Sequence, residues 1–285
     1  MNPIRILITA PLKRDPRIFD EYQEALDGLI IPEGFTCDRF YVVNDCPEVI
    51  PHIRDAAYIV HDSDPDEIQT KEHIWTGDNV WKMCNLRNMT IQYMLAKGYD
   101  YWFSVDTDEI LNPHTLEYLL AANRDIVSEI LWTEGPDGVP WCNAWMYDDG
   151  DVNGMWDTWA KPGLYKVGGT GGLILAKRRV FEAGVGYARI PNIRKALRGE
   201  DRFFCVRAAC AGFEIWMDTN VPAVHLFGEK EYQRFMKAKR GERHAEGSEG
   251  GAESHDDGVR RRDRAPADGG RDGSGDRGRD RSGGY

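Results

Sequence analysis

The chain has 285 residues, 41% of them hydrophobic, and 36 Lys and Arg set against 47 Asp and Glu, for a formal net charge of −11 at pH 7. That composition can bury a sizeable core, and its acidic balance excludes a body built to hold polyanions nonspecifically, because phosphate backbones are gripped by clustered Lys and Arg. Six cysteines without a C-x-x-C pair and a strand-like Ile4-Arg5-Ile6-Leu7-Ile8 start point to reduced thiols and a cytoplasmic protein, and no apolar run reaches the ~18–20 residues a membrane span needs.

In chain order, short β-branched or aromatic runs alternate with amphipathic segments, the pattern of an α/β sheet. Ile4–Ile8 predicts a first strand, and Phe19, Tyr22, Leu26 and Leu29 predict a helix at three- and four-residue spacing. Phe40–Val43 predicts a second strand closed by Asn44-Asp45, and Ala57–Val60 a third. A longer helix from about Lys82 should stop at Gly98. The run Tyr99–Asp108 then reads as a buried strand ending in Asp106 and Asp108. Alternation along a strand would put both carboxylates on one side, where two acids without a Lys or Arg beside them call for a hard cation.

Beyond that point Asn112-Pro113 predicts a helix start ahead of Leu116, Leu119 and Leu120, and the alternation loosens. Residues 132–170 are rich in Trp, Asp and Gly, with strands expected at Trp141–Met146 and Leu173–Ala176. A late helix carries Phe203, Val206 and Cys210 and ends at Gly212, ahead of strands at Phe213–Met217 and Ala223–Phe227. From Lys239 the chain holds 11 basic and 11 acidic residues among Gly and Ser, so the whole charge of −11 falls on residues 1–238. Residues 239–285 are predicted to be a disordered Gly/Arg/Asp-rich tail.

Acid-x-acid alone is a weak signal, since Asp is common where strands turn. Its company sharpens it. Thr9-Ala10-Pro11, Asp45, Arg87-Asn88, Asp106-Thr107-Asp108, Gly168–Gly172, Gly199-Glu200-Asp201 and His225 occur in an order that resembles the GT-A class of nucleotide-sugar glycosyltransferases, family-2-like, over residues 1–228.

The resemblance implies a Rossmann-like mixed central sheet flanked by helices, spanning 1–238, with a nucleotide-binding half (1–111) and an acceptor-binding half (112–238). It implies transfer of a single sugar from a UDP- or GDP-linked donor, without the Q-x-x-R-W block and membrane spans of processive synthases. Such transfer needs a departing diphosphate to carry off negative charge. Asp106, Asp108 and His225 are the expected ligands of Mn²⁺ or Mg²⁺. Thr9, Ala10, Pro11, Asp45, Arg87, Asp106, Gly171 and Gly172 are the expected donor contacts, Asp201 the expected general base with Glu200 beside it, and Trp156 and Trp159 the expected acceptor platform. The basic first loop, Leu12–Arg17, departs from the family pattern and leaves the donor open.

The acceptor could be a saccharide, a lipid-linked glycan, a protein or a modified DNA base. A dehalogenase-like phosphatase fits poorly, because its D-x-D belongs on the first strand. A nucleotidyltransferase would need a Gly-rich loop where Ala10–Pro16 stands. A non-catalytic sugar- or nucleotide-binding module is the alternative of a different class.

Overall fold

The computed structural model describes residues 3–63, 77–134, 140–146, 157–192 and 199–241. The first strand, β1 (Ile4–Leu12), is parallel to β2 (Phe35–Asn44) on one side and to β4 (Tyr101–Ser104) on the other, and β2 is in turn parallel to β3 (Ala57–His61). The expected mixed central sheet continues past β4 through β11 (Ile174–Lys177), β6 (Ile126–Glu134) and β12 (Ile215–His225) to β5 (Glu109–Ile110). At its margins β7 (Pro140–Cys142) pairs with β6, and β9 (Leu164–Val167) with β12. Two short strands, β8 (Ala144–Trp145) and β10 (Gly169–Thr170), pair separately.

Helices cover both faces, as alternation along β1 requires. Ile6, Ile8, Ala10 and Leu12 pack with α1 (Pro16–Asp27), α3 (Thr115–Ala121) and α6 (Glu229–Lys239). Leu7 faces the opposite layer, formed by α2 (Gly77–Lys97), α4 (Arg178–Glu182) and α5 (Glu200–Cys210). The start of α1 is fixed locally: the Asp15 carboxylate accepts from the Arg17 amide at 2.9 Å, and Pro16 occupies the first turn.

Several predicted boundaries move. The Asn112 side chain accepts from the His114 amide at 3.0 Å, so Asn112-Pro113 form a turn and α3 begins only at Thr115. The strands expected at Phe213–Met217 and Ala223–Phe227 are one, β12, with a register shift between Asp218 and Ala223. The central strand β6 escapes the pattern because Ser128 and Glu129 are buried in its middle.

Met1–Glu242 form one unit by their contacts. The tail expected from 239 lies, after Gly241, outside the described residues. Among the described residues no helix is long and apolar enough to cross a membrane. All six cysteines are free thiols.

Candidate active site

The chain runs from β1 to β2 on one side and returns through α2 to β4 on the other. The sheet therefore reverses its direction of growth between β1 and β4, and ligands of open α/β sheets collect in the crevice outside the carboxyl ends of such strands. The Val105 amide donates to the Thr9 carbonyl at 3.0 Å and closes the two strands up to that edge. Beyond it stand Lys13 and Arg14 after β1, Asp45 after β2, and Asp106 to Asp108 after β4.

Asp106 and Asp108 do not continue a strand. β4 stops at Ser104, and the pair lies in the turn leading to β5, so alternation does not set their directions. Each carboxylate meets its own guanidinium. Arg87, on the buried side of α2 and 1% exposed, donates through Nη2 to both Asp106 oxygens at 2.9 and 3.1 Å and through Nη1 to Ser104 Oγ at 2.8 Å. Its Nε lies 3.9 Å from Asp201 Oδ1. Expected to meet a donor phosphate, Arg87 here binds one carboxylate, faces a second, and spends its fork inside the protein.

Asp201 and Glu200 open α5, where the helix dipole favours acids. The Gly172 amide donates to Asp201. Gly171 has no room for a Cβ, which would collide with the Asp201 carboxylate. At Gly172, whose φ is +79°, a Cβ would collide with Glu109. The glycines expected to admit a donor therefore admit two carboxyl groups. Asn143 ties their loop down, donating to the Gly171 carbonyl at 3.0 Å and accepting the Gly171 amide on its own carbonyl at 3.1 Å.

Burial raises the Asp201 carboxyl to about 6, against the pull of Arg87 and with the Asp106 charge adding to the rise. Burial and the Asp201 charge push Glu200 higher, to about 8. Asp106 is raised by burial despite Arg87. Glu109, which the sequence reading missed, accepts from the Asp106 amide at 3.2 Å and is driven far up by burial and by the charges of Asp106 and Asp108. Its signal was a third acid directly after D-x-D.

Asp108 belongs to a different cluster. Its Oδ2 is 2.7 Å from Arg14 Nη2 and 3.5 Å from His225 Nε2, and the other ring nitrogen of His225 is 2.7 Å from Thr133 Oγ1. Burial alone would raise Asp108, yet His225 and the Arg14 charge hold it below the ordinary carboxylate value. Arg14 and Thr133 were also missed, since neither pairing has a sequence period.

Asp45 takes a left-handed backbone (φ 47°), and its side chain is largely buried. It accepts from the Ser63 amide at 2.7 Å, from the Ser63 hydroxyl, and from Lys82 Nζ at 2.8 Å, with Lys13 at 4.0 Å; against the pull of burial, Lys82 and Ser63 hold its carboxyl well below the usual range. Thr9 and Ala10 are wholly buried in β1 and Pro11 is half-buried. Trp159 is wholly buried in the layer around α2 and α5, so its ring faces core neighbours and not an acceptor. Trp156 lies outside the described residues.

The expected Mn²⁺ or Mg²⁺ ligands do not fit a cation as they are arranged. Both Asp106 oxygens are engaged by Arg87, and Asp108 Oδ2 is engaged by Arg14. Among the described residues no three His, Cys, Asp or Glu side chains converge as a metal set. A dication on Asp108 would stand within about 4 Å of the Arg14 guanidinium, a repulsion of roughly 8 kcal/mol at an effective dielectric of about 20. The early premise that no basic group stands beside these acids fails because both arginines arrive from elsewhere in the fold.

No family model and no curated protein matches the chain. Among solved structures it is similar to the mannosyltransferase PcManGT from Pyrobaculum calidifontis in complex with GDP-Man and Mn²⁺ (12% identity, TM-score 0.49, 83% of this chain and 61% of that one). It is also similar to S. aureus TarS 1–349 in complex with UDP-GlcNAc (12%, 0.46, 80% and 60%) and to A197 from STIV (13%, 0.40, 79% and 87%). The chain thus spans about three-fifths of the first two. At TM-scores below 0.5 these likenesses carry no argument about chemistry, which rests on the side chains described above.

Proposed function

We propose that the chain transfers one sugar from a UDP- or GDP-linked donor to an acceptor hydroxyl. One observation carries this reading: Asp106 and Asp108, each facing its own arginine, follow β4 at the carboxyl edge where the sheet reverses, and Asp201 stands 3.9 Å from the Arg87 that holds Asp106. Acids that can take a proton and cations that can meet a diphosphate are the two needs of glycosyl transfer.

In the step itself the acceptor oxygen bonds to the anomeric carbon while the bond from that carbon to the diphosphate oxygen breaks. The electron pair leaves with the diphosphate, and the hydroxyl proton passes to Asp201. Burial raises both carboxyls, and Asp201 is the proposed base because its side chain is partly exposed while Glu200 is buried. Arg87, hydrogen-bonded to Asp106 and 3.9 Å from Asp201, supplies the positive charge that faces the base. The net −11 carried by residues 1–238 favours a saccharide, lipid-linked glycan or protein acceptor over DNA.

The test is a panel of UDP- and GDP-sugars incubated with the full chain, in EDTA and with Mn²⁺, following nucleotide release. At least one donor should turn over. Thermal stabilisation by a donor without any release would make the chain a binding module, and neither response under either condition would remove the proposal.

A further inference from the structure

Resting on the transferase reading, we infer that Arg14 takes the place of the divalent cation, supplying the fixed positive charge that meets the leaving diphosphate. Arg14 follows β1 directly, at the edge where the sheet reverses. Its side chain is 13% exposed and its Nη2 is held 2.7 Å from Asp108 Oδ2. The Nε is buried without an acceptor. A guanidinium carries five N–H donors in a fork that matches phosphate oxygens, and the ion pair with Asp108 leaves donors to spare.

The charge balance agrees. A dication shared by Asp106 and Asp108 would leave that group formally neutral. The same neutrality is reached here with Arg87 on Asp106 and Arg14 on Asp108. The two arginines differ in exposure: Arg87 is sealed in the core, while Arg14 is partly exposed beyond the end of β1, with the half-exposed Lys13 next to it in the chain. Unlike a metal, this charge cannot be chelated away, and an arginine side chain does not lose its proton in the working pH range.

Calorimetry on the full chain separates the possibilities, using UDP and GDP, their monophosphates UMP and GMP, and buffers with EDTA or Mn²⁺. The diphosphate that binds should do so in EDTA within about threefold of its affinity in Mn²⁺. Arg14→Gln should weaken it about tenfold or more while leaving the matching monophosphate within about twofold, and Arg14→Lys should keep much of the affinity. Diphosphate binding that requires Mn²⁺ overturns the inference and leaves the transferase standing. Equal loss of mono- and diphosphate in Arg14→Gln also overturns it, since that is what a purely structural arginine would do. No binding of any nucleotide, with or without Mn²⁺, overturns inference and transferase together. Should Arg14→Gln fail to fold, as judged by its thermal midpoint, the wild-type comparison of EDTA with Mn²⁺ decides alone.

Discussion

One group of acids stands at the edge of the sheet and another lies within it, and they differ in what stands opposite them. At the carboxyl ends of β1 and β4, Asp106, Asp108 and Asp201 face Arg87 and Arg14. In the middle of the sheet Glu129, 1% exposed on β6, stands in register with Asp218 on β12 and is pushed up to about 8 by its burial, with the Asp218 charge adding to the rise. No cation among the described residues pairs with it. A buried carboxyl with a raised proton affinity therefore marks no site by itself. The crevice is distinguished by counter-charge, by its place at the strand ends, and by partial exposure of Asp106 and Asp201.

The sharpest way to break this contrast is Asp201→Asn. As the proposed base, its loss should cut turnover by roughly 10²–10⁴-fold with little change in unfolding midpoint. Wild-type turnover should rise as pH climbs through about 6, because the base works ionised. A flat profile across that range, or a variant of unchanged turnover, would remove Asp201 from the chemistry.

Arg87→Met comes next. It leaves Asp106 and Asp201 without their shared partner and should cost about 3–5 kcal/mol in urea unfolding near pH 8. The cost should shrink near pH 5 as the stranded carboxyls take up protons. An equal loss at both pH values would mean that packing, and not charge, is what Arg87 supplies.

Glu129→Gln tests the other region. A carboxyl raised from 4.5 to about 8 binds more protons folded than unfolded, so its contribution is fully present below pH 4.5 and is lost as pH rises towards 8. The slope is about 1.4 kcal/mol per pH unit between those limits. The amide should flatten that slope, stabilise the protein most at alkaline pH and leave nucleotide-sugar turnover unchanged. A slope that survives the substitution would belong to other groups.

Gly172→Ala has the smallest expected effect, about 1–2 kcal/mol for forcing a left-handed backbone on a residue with a Cβ, in addition to displacing Glu109. Full stability in the variant would show that the loop yields, and that the glycine is not shaped around that carboxyl.

Much of the scaffold was legible because its signals are local. Short β-branched or aromatic runs predict β1 to β4, and Phe19, Tyr22, Leu26 and Leu29 at helical spacing predict α1. β6 was not legible: two buried polar side chains, Ser128 and Glu129, interrupt its pattern, the Ser128 hydroxyl donating to the Leu173 carbonyl and the Glu129 carboxyl driven towards its neutral form by burial. Of the candidate site, residue types and order were visible, while roles were not. Gly171 and Gly172 suggest room for a ligand, but that room holds Asp201 and Glu109. Trp159 suggests a platform, but it is core.

The sequence by itself determined that acids gather after the fourth predicted strand and at the start of a late helix, that residues 1–238 carry all the net charge, and that the strands alternate with helices. Those properties follow from composition and from periodicities a few residues long. Only the tertiary structure decided which cation faces which acid. Arg14 reaches Asp108 and Arg87 reaches both Asp106 and Asp201 because β1, α2, β4 and α5 meet at one edge. Charge pairing acts through space between segments far apart in the chain, so no local pattern records it.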